Sequence, residues 1–423
     1  MTDTGKLSQH ALISIHKSNT KLTNNDLPHI KGSSMPPTPP PSSWVALFPF
    51  SGLHIHDEPD MLSTPLFGDA TLVSHETVLR AFPNLVKGIG DADAHIAVRR
   101  QGIVNTKWFD EDRKNDVFMA AAQKRANEIA ALLAVCVLAT STDGNLTGLA
   151  NRFGHTQEHF ALLRPSDGDG IVAMSSGSPI ETFSLHETET LFLSKHELRT
   201  FLDQPLLQHV TQAISAQKSK LAPALRQSII QSCLRLASAF YEASYTAQLL
   251  GAITSIEILL TGDEQGTSFD VKQRRLGVLL GNAFLEKYEF KKILQARHLY
   301  VHQGTNETTR SQALMALGVA MYGLFIYAVV AQDIPKKDML LTYLDAIQLT
   351  DKLAAFELNP GFQLTSHYLE QVRLQHTMPF LTYVDDVIAF DKDYHEPAWV
   401  HKPAHFEFVA GELNQWYNRK AQL

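Results

Sequence analysis

Cysteine is nearly absent from this chain. Its 423 residues include two, Cys136 and Cys233, each inside an apolar run. That excludes a disulfide-stapled secreted scaffold and makes a reducing, cytoplasmic setting the expectation. Positive charge is also short, since 37 Lys and Arg against 44 Asp and Glu give a formal charge of −7. A surface coated in basic residues for indiscriminate duplex binding is therefore excluded, while a local basic groove is not. Residues 1–20 hold no uninterrupted apolar core, so no signal peptide is expected. The chain shows no internal repeat. One long uncharged stretch is apolar throughout: Ala313 to Ala331 runs nineteen residues without a charge, long enough for a membrane span. It is rich in Ala and Gly, keeps Tyr322 and Tyr327 inside rather than at its ends, and has no one-sided basic flank. The expectation is a helix buried in a bundle, with no membrane contact.

What is present divides the chain into four. Residues 1–43 lack periodicity and end in Pro36-Pro37-Thr38-Pro39-Pro40-Pro41-Ser42-Ser43. Such a tract favours extended polyproline geometry and is expected to form a disordered tail and linker. Residues 44–200 mix signals. Strands are expected at Trp44–Ile55, Ala70–Ser74, His95–Arg100, Ile171–Ser175 and Thr190–Ser194, and an Ala-rich helix at Asp116–Thr140 stopped by Asp143-Gly144. This reads as an α+β domain. Beyond Leu198 the strand signals vanish. Helical patterns follow at Ala224–Leu260 (with a break expected near Gly251), Asp270–Gly281, Glu289–His302, Thr308–Ala331 and Lys336–Glu357. Short Gly-containing links between long helices predict an antiparallel all-α bundle over 201–357. Residues 358–423 form a C-terminal extension without a clear pattern.

One element in the bundle has the residue types of a reactive site: Arg297-His298-Leu299-Tyr300-Val301-His302-Gln303-Gly304. A bare Arg-x-x-x-x-His spacing is weak, since short motifs recur by chance. Context strengthens it. The element closes an expected helix, and Gly304 follows His302, where a helix end exposes its last residues. The surroundings are also basic. Residues 271 to 302 carry seven Lys and Arg against Glu286 and Glu289, a formal +5 within a chain of −7. Phosphate-rich ligands are drawn to such a region.

The order of the preceding segments adds a resemblance. Leu249-Leu250-Gly251-Ala252-Ile253-Thr254-Ser255-Ile256-Glu257-Ile258-Leu259-Leu260 comes first. Lys272-Gln273-Arg274-Arg275-Leu276-Gly277-Val278-Leu279-Leu280-Gly281 follows, and then the Arg–His element. Over roughly residues 224 to 332 this resembles the Apea-like branch of the HEPN superfamily. The resemblance implies a helical bundle acting as a metal-independent endoribonuclease without cofactors, in a toxin or antiviral defence role. It implies Arg297 and His302 as the catalytic pair, with His298 as the polar follower, and it favours a homodimer. Lys291, Lys292 and Arg275 are the expected RNA contacts. Residues 44–200 fall outside the resemblance, and a sensor or regulator of a phage or stress trigger is the role expected of them. A non-catalytic bundle that binds a nucleotide or a protein partner is the alternative.

The chemistry calls for these residue types on its own terms. RNA brings its own nucleophile, the 2′-hydroxyl, so the protein need only move protons and stabilise charge. Imidazole does the first near neutral pH, and a guanidinium grips the phosphate as charge builds. Five residues correspond to about 140° of rotation on a helix, so Arg297 and His302 do not share a face. Either the helix opens near Gly304, or two copies of the motif meet across a dimer.

A competing element, His155-Thr156-Gln157-Glu158-His159, matches the H-x-x-E-H pattern of inverted zinc peptidases. Two His at i and i+4 with Glu158 as base would suit zinc. Gly154 directly before it and Arg164-Pro165 soon after argue against the long helix this needs. The clusters His54-Ile55-His56-Asp57 and Asp91-Ala92-Asp93-Ala94-His95 have residue types that could ligate a metal, with His54 and His56 on one face of a strand, and solvated strand and loop residues explain them as well. No metal is expected.

Overall fold

The computed structural model describes residues 43–50, 53–56, 67–81, 94–101, 111–140, 161–163, 171–174, 191–194, 202, 204–215, 220–242, 244–262, 268–304, 308–349, 356–359 and 362–393. Five strands form an antiparallel sheet. In chain order they are β1 (Ser43–Phe50), β3 (Ala70–Ser74), β4 (Ala94–Gln101), β5 (Ala161–Leu163) and β6 (Ile171–Met174), and their spatial order is β3-β4-β1-β5-β6. β1 pairs with β4 along its whole length, from Ser43 opposite Gln101 to Phe50 opposite Ala94. Strand periodicity sends Ala46, Phe48 and Phe50 to one face, where they join the main core. Leu47 points the other way and is equally buried, as suits a central strand. The expected single strand Trp44–Ile55 is two: after Phe50 the chain begins again as β2 (Leu53–His56), which pairs in parallel with β7 (Leu191–Ser194). A short helix, α1 (His75–Ala81), follows β3 directly.

The Ala-rich helix α2 (Glu111–Thr140) is longer than expected at its start, and it packs against both β4 and the helical bundle. Its Arg125 is buried and donates to Asp69 Oδ1 at 2.9 Å, Glu128 Oε2 at 3.0 Å and the Phe67 carbonyl at 3.1 Å, fixing the helix to the turn before β3.

The bundle begins with α3 (Pro205–Ile214) and α4 (Pro223–Phe240), both with Pro in the first turn, where its missing N–H costs nothing. The long pattern 224–260 breaks after Phe240 rather than near Gly251, so α5 (Tyr245–Leu260) is separate. Gly251 lies inside α5 for packing: a Cβ there would sit 2.6 Å from the Ala239 Cβ of α4. The small residue lets the two backbones approach, and Ser232 and Ser255 hydrogen-bond across the seam at 2.6 Å. Next come α6 (Phe269–Leu280), α7 (Asn282–Lys287), α8 (Phe290–Gln303) and α9 (Arg310–Val330).

Helix α9 is the bundle's centre. Thr309 and Gln312 close a reciprocal capping box at its start, and it touches α3 to α6 and α8. Among the described residues it alone is long and apolar enough to cross a membrane, and its apolar window is entirely buried inside the protein. After α10 (Lys337–Leu349) the expected helix to Glu357 gives way to an antiparallel pair of strands, β8 (Phe356–Asn359) and β9 (Phe362–Leu364). Strand signals therefore do not end at Leu198. Helices α11 (Ser366–Gln375) and α12 (Pro379–Asp393) pack back on α9, so the bundle takes in residues beyond 357.

Candidate functional site

Helix α8 presents the Arg–His element. It stays helical through Gln303, and Gly304 closes it at φ +68°, its N–H donating to the Tyr300 carbonyl at 3.0 Å. A left-handed residue is needed there, and glycine adopts it without a Cβ penalty. The helix does not open before His302, so the first of the two geometric options is corrected: no unwinding brings Arg297 and His302 to one face.

The two faces of α8 have different surroundings. Arg297 faces α5 and α6. Its Nη2 donates to Glu257 Oε1 at 3.1 Å, and its guanidinium carbon lies 5.2 Å from the centre of the Phe269 ring. Lys272 Nζ approaches the same Glu257 oxygen at 3.4 Å. The Arg297 side chain is 30% exposed, so its outer edge remains open to solvent. Glu257 sits in the last turn of α5, where the helix dipole disfavours a carboxylate. The two cations offset that cost. Sequence reasoning missed Glu257 as a site residue, although it is the sole charged residue in the 16-residue helix Tyr245–Leu260. A lone carboxylate in an apolar helix was the available signal.

On the opposite flank, Lys291, Gln295, His298 and His302 are all exposed. Their spacing of four, three and four places them within about 60° of one another on a helix. They form a polar stripe that ends at the helix C-terminus. The rings of His298 and His302 lie together, their centroids 4.4 Å apart and tilted by 48°. Off this stripe, Tyr300 and Val301 are also exposed, at 38% and 53%. Lys292, also exposed, is drawn to Glu289 at 2.8 Å. The structure thus gathers His298, His302 and Lys291 on one surface and holds Arg297 on another.

Arg275 is corrected. It is 5% exposed; its Nε and Nη2 donate to the two carboxylate oxygens of Asp345 at 2.9 and 2.7 Å, and its Nη1 to the Leu260 carbonyl at 2.8 Å. That guanidinium ties α10 to the C-terminus of α5, and its burial keeps it from an RNA at the surface. Lys337 makes a similar bond, donating to the Ile258 carbonyl at 2.8 Å. Basic residues capping orphan helix carbonyls account for part of the charge excess around the motif.

His155, Glu158 and His159 lie outside the described residues, as do Asp91 and Asp93, and the side chains of His54 and His56. His95, expected to be solvated, is wholly buried in β4. It stacks on His75 with centroids 5.2 Å apart and planes 13° apart, and neither of its ring nitrogens has a hydrogen-bond partner. Burial, and secondarily the neighbouring His75, lower its pKa to about 3.

Comparison with known protein families, curated proteins and solved structures finds no match to this chain.

Proposed function

We propose that this chain is a metal-independent endoribonuclease of the HEPN type, with Arg297 and His302 as its catalytic pair and His298 in support. The observation that carries the reading is the exposed His298–His302 pair on α8, one flank away from an Arg297 fixed by Glu257. Lys291 heads the same stripe and Lys292 stands next to it, giving a cationic track along about 16 Å of helix for a phosphodiester backbone.

In the proposed reaction an imidazole takes the proton of the 2′-hydroxyl as its oxygen attacks the adjacent phosphorus. The P–O5′ bond breaks, and a second imidazole protonates the leaving 5′-oxygen. The products are a 2′,3′-cyclic phosphate and a 5′-hydroxyl end. Arg297 stabilises the charge that builds on the non-bridging oxygens. The angular separation of Arg297 and His302 on one unbroken helix favours a homodimer whose two α8 motifs converge on one cleft. The exposed Tyr300 and Val301 are the apolar contacts such a two-fold interface would use. The α+β part is the proposed sensor that restrains the nuclease until a phage or stress trigger appears, in a cytoplasmic defence role.

The test is incubation of the purified full chain with labelled RNA in EDTA. Cleavage to cyclic-phosphate ends is expected. RNA left intact at every pH between 6 and 8, or cut only after metal is added, would remove the proposal.

A further inference from the structure

We infer that His298 and His302 form a two-point chelate for a divalent transition-metal ion, Zn2+ or Cu2+, and that filling it switches off the cleavage proposed above. The chelate stands on the geometry of α8 alone; the switch rests on the ribonuclease reading. Two imidazoles at i and i+4 face the same way from consecutive turns, the spacing by which paired helical histidines grip zinc. Here the helix is continuous across both positions, and the rings already touch, with centroids 4.4 Å apart. Both residues are exposed, so small rotations about their side-chain bonds suffice to bring one nitrogen from each ring to the usual distance of about 2.0–2.1 Å from an ion.

The electrostatics agree. His302 lies in the last turn of α8, where unpaired carbonyls make the helix end negative and favour a cation. The guanidinium of Arg297, next to His298 in sequence, is turned to the other flank, where Glu257 holds it. Imidazole pairs select zinc, nickel and copper over the oxygen-seeking magnesium.

Among the described residues no third His, Cys, Asp or Glu converges with the pair. Structural zinc sites use four protein ligands and catalytic ones three, so this ion keeps water in its remaining positions and exchanges readily. It is a reversible occupant rather than a resident cofactor. Its effect follows from the lone pairs: an imidazole nitrogen bound to a metal has none left to accept a proton, so proton transfer by the pair stops.

The experiment titrates ZnCl2 into the untagged full chain by calorimetry, for wild type, His298→Ala and His302→Ala. Wild type is expected to bind one zinc ion more than either variant. CuCl2 should bind more tightly than ZnCl2, and MgCl2 should give no heat. Equal zinc stoichiometry and affinity in all three proteins would overturn the chelate. In the cleavage assay, saturating ZnCl2 should slow wild type by about 100-fold, the low end of what a positioned acid or base contributes, and EDTA should restore the rate. Zinc bound at the pair with cleavage undiminished would overturn the switch. A chain that binds zinc at the pair yet never cleaves RNA would overturn the ribonuclease reading and the switch, and leave the chelate standing.

Discussion

Arg297 and Glu257, forty residues apart in sequence, meet at 3.1 Å where α8 crosses the end of α5. The contact leaves one edge of the guanidinium solvent-facing while the Phe269 ring supports its plane. A carboxylate placed this way fixes the direction in which Arg297 presents its remaining donors. Glu257 is thus a positioning residue in the proposed reaction. Glu257→Gln should lower kcat by about 10- to 100-fold with KM nearly unchanged, since misdirected groups lose rate more than binding. Because the pair is partly exposed, thermal stability should move by less than about 1 kcal/mol. A variant that keeps full kcat would show that the ion pair serves the fold alone.

Arg297→Ala and His302→Ala should each abolish cleavage and shift thermal stability by no more than about 1 kcal/mol, because His302 is exposed and the Arg297–Glu257 pair is partly exposed. Arg297→Lys should not rescue, since a point charge lacks the planar fork that grips phosphate. Mixing the two Ala variants tests the dimer: if each cleft draws on both chains, the mixture regains part of the activity that either lacks. Light scattering on a homodimer should give twice the 47.1 kDa chain mass. Both variants cleaving like wild type would remove this site.

Arg275→Ala should act on stability instead. It strands the Asp345 carboxylate and the Leu260 carbonyl at a three-helix junction. Asp345 is 35% exposed and can recover some hydration, so a loss of about 2–3 kcal/mol is expected, below the figure for a fully buried pair. Urea unfolding measures it. If stability is unchanged while RNA affinity drops, Arg275 belongs to the binding surface after all.

The buried His95 predicts acid sensitivity. Its ring is held neutral down to a pKa of about 3, whereas in the unfolded chain a histidine takes up a proton near pH 6.5. Between those values the unfolded state binds more protons, so the contribution is fully present above pH 6.5 and declines as pH falls toward 3. Between pH 7 and pH 5 the decline should be about 2 kcal/mol. His95→Leu should flatten that part of the profile in urea titrations. A variant with the same slope as wild type would place the acid sensitivity elsewhere.

The apolar helix α9 offers a fifth test. Every residue in its apolar window is packed against protein, so the chain should be recovered without detergent, and Leu324→Ala should cost about 2–5 kcal/mol as a core cavity would. Recovery from membranes alone would reverse the bundle-core reading.

Local chemistry was legible from the sequence wherever one residue type decides the outcome. Gly304 ends α8, and nineteen uncharged residues make a core helix. In each case the signal lies within a few residues of its consequence. The sheet's order β3-β4-β1-β5-β6, the split between α4 and α5, and the pairing of β8 with β9 were not legible, because pairing and helix breaks depend on partners outside the segment itself. The site divides the same way. The periodicity of α8 alone aligns Lys291, Gln295, His298 and His302. Only the tertiary fold decided that Glu257 would hold Arg297 and that Asp345 would bury Arg275. Two arginines in one basic stretch look alike in sequence. What separates them is which carboxylate the packing of other helices brings within 3 Å or so, since hydrogen bonds act only at that range.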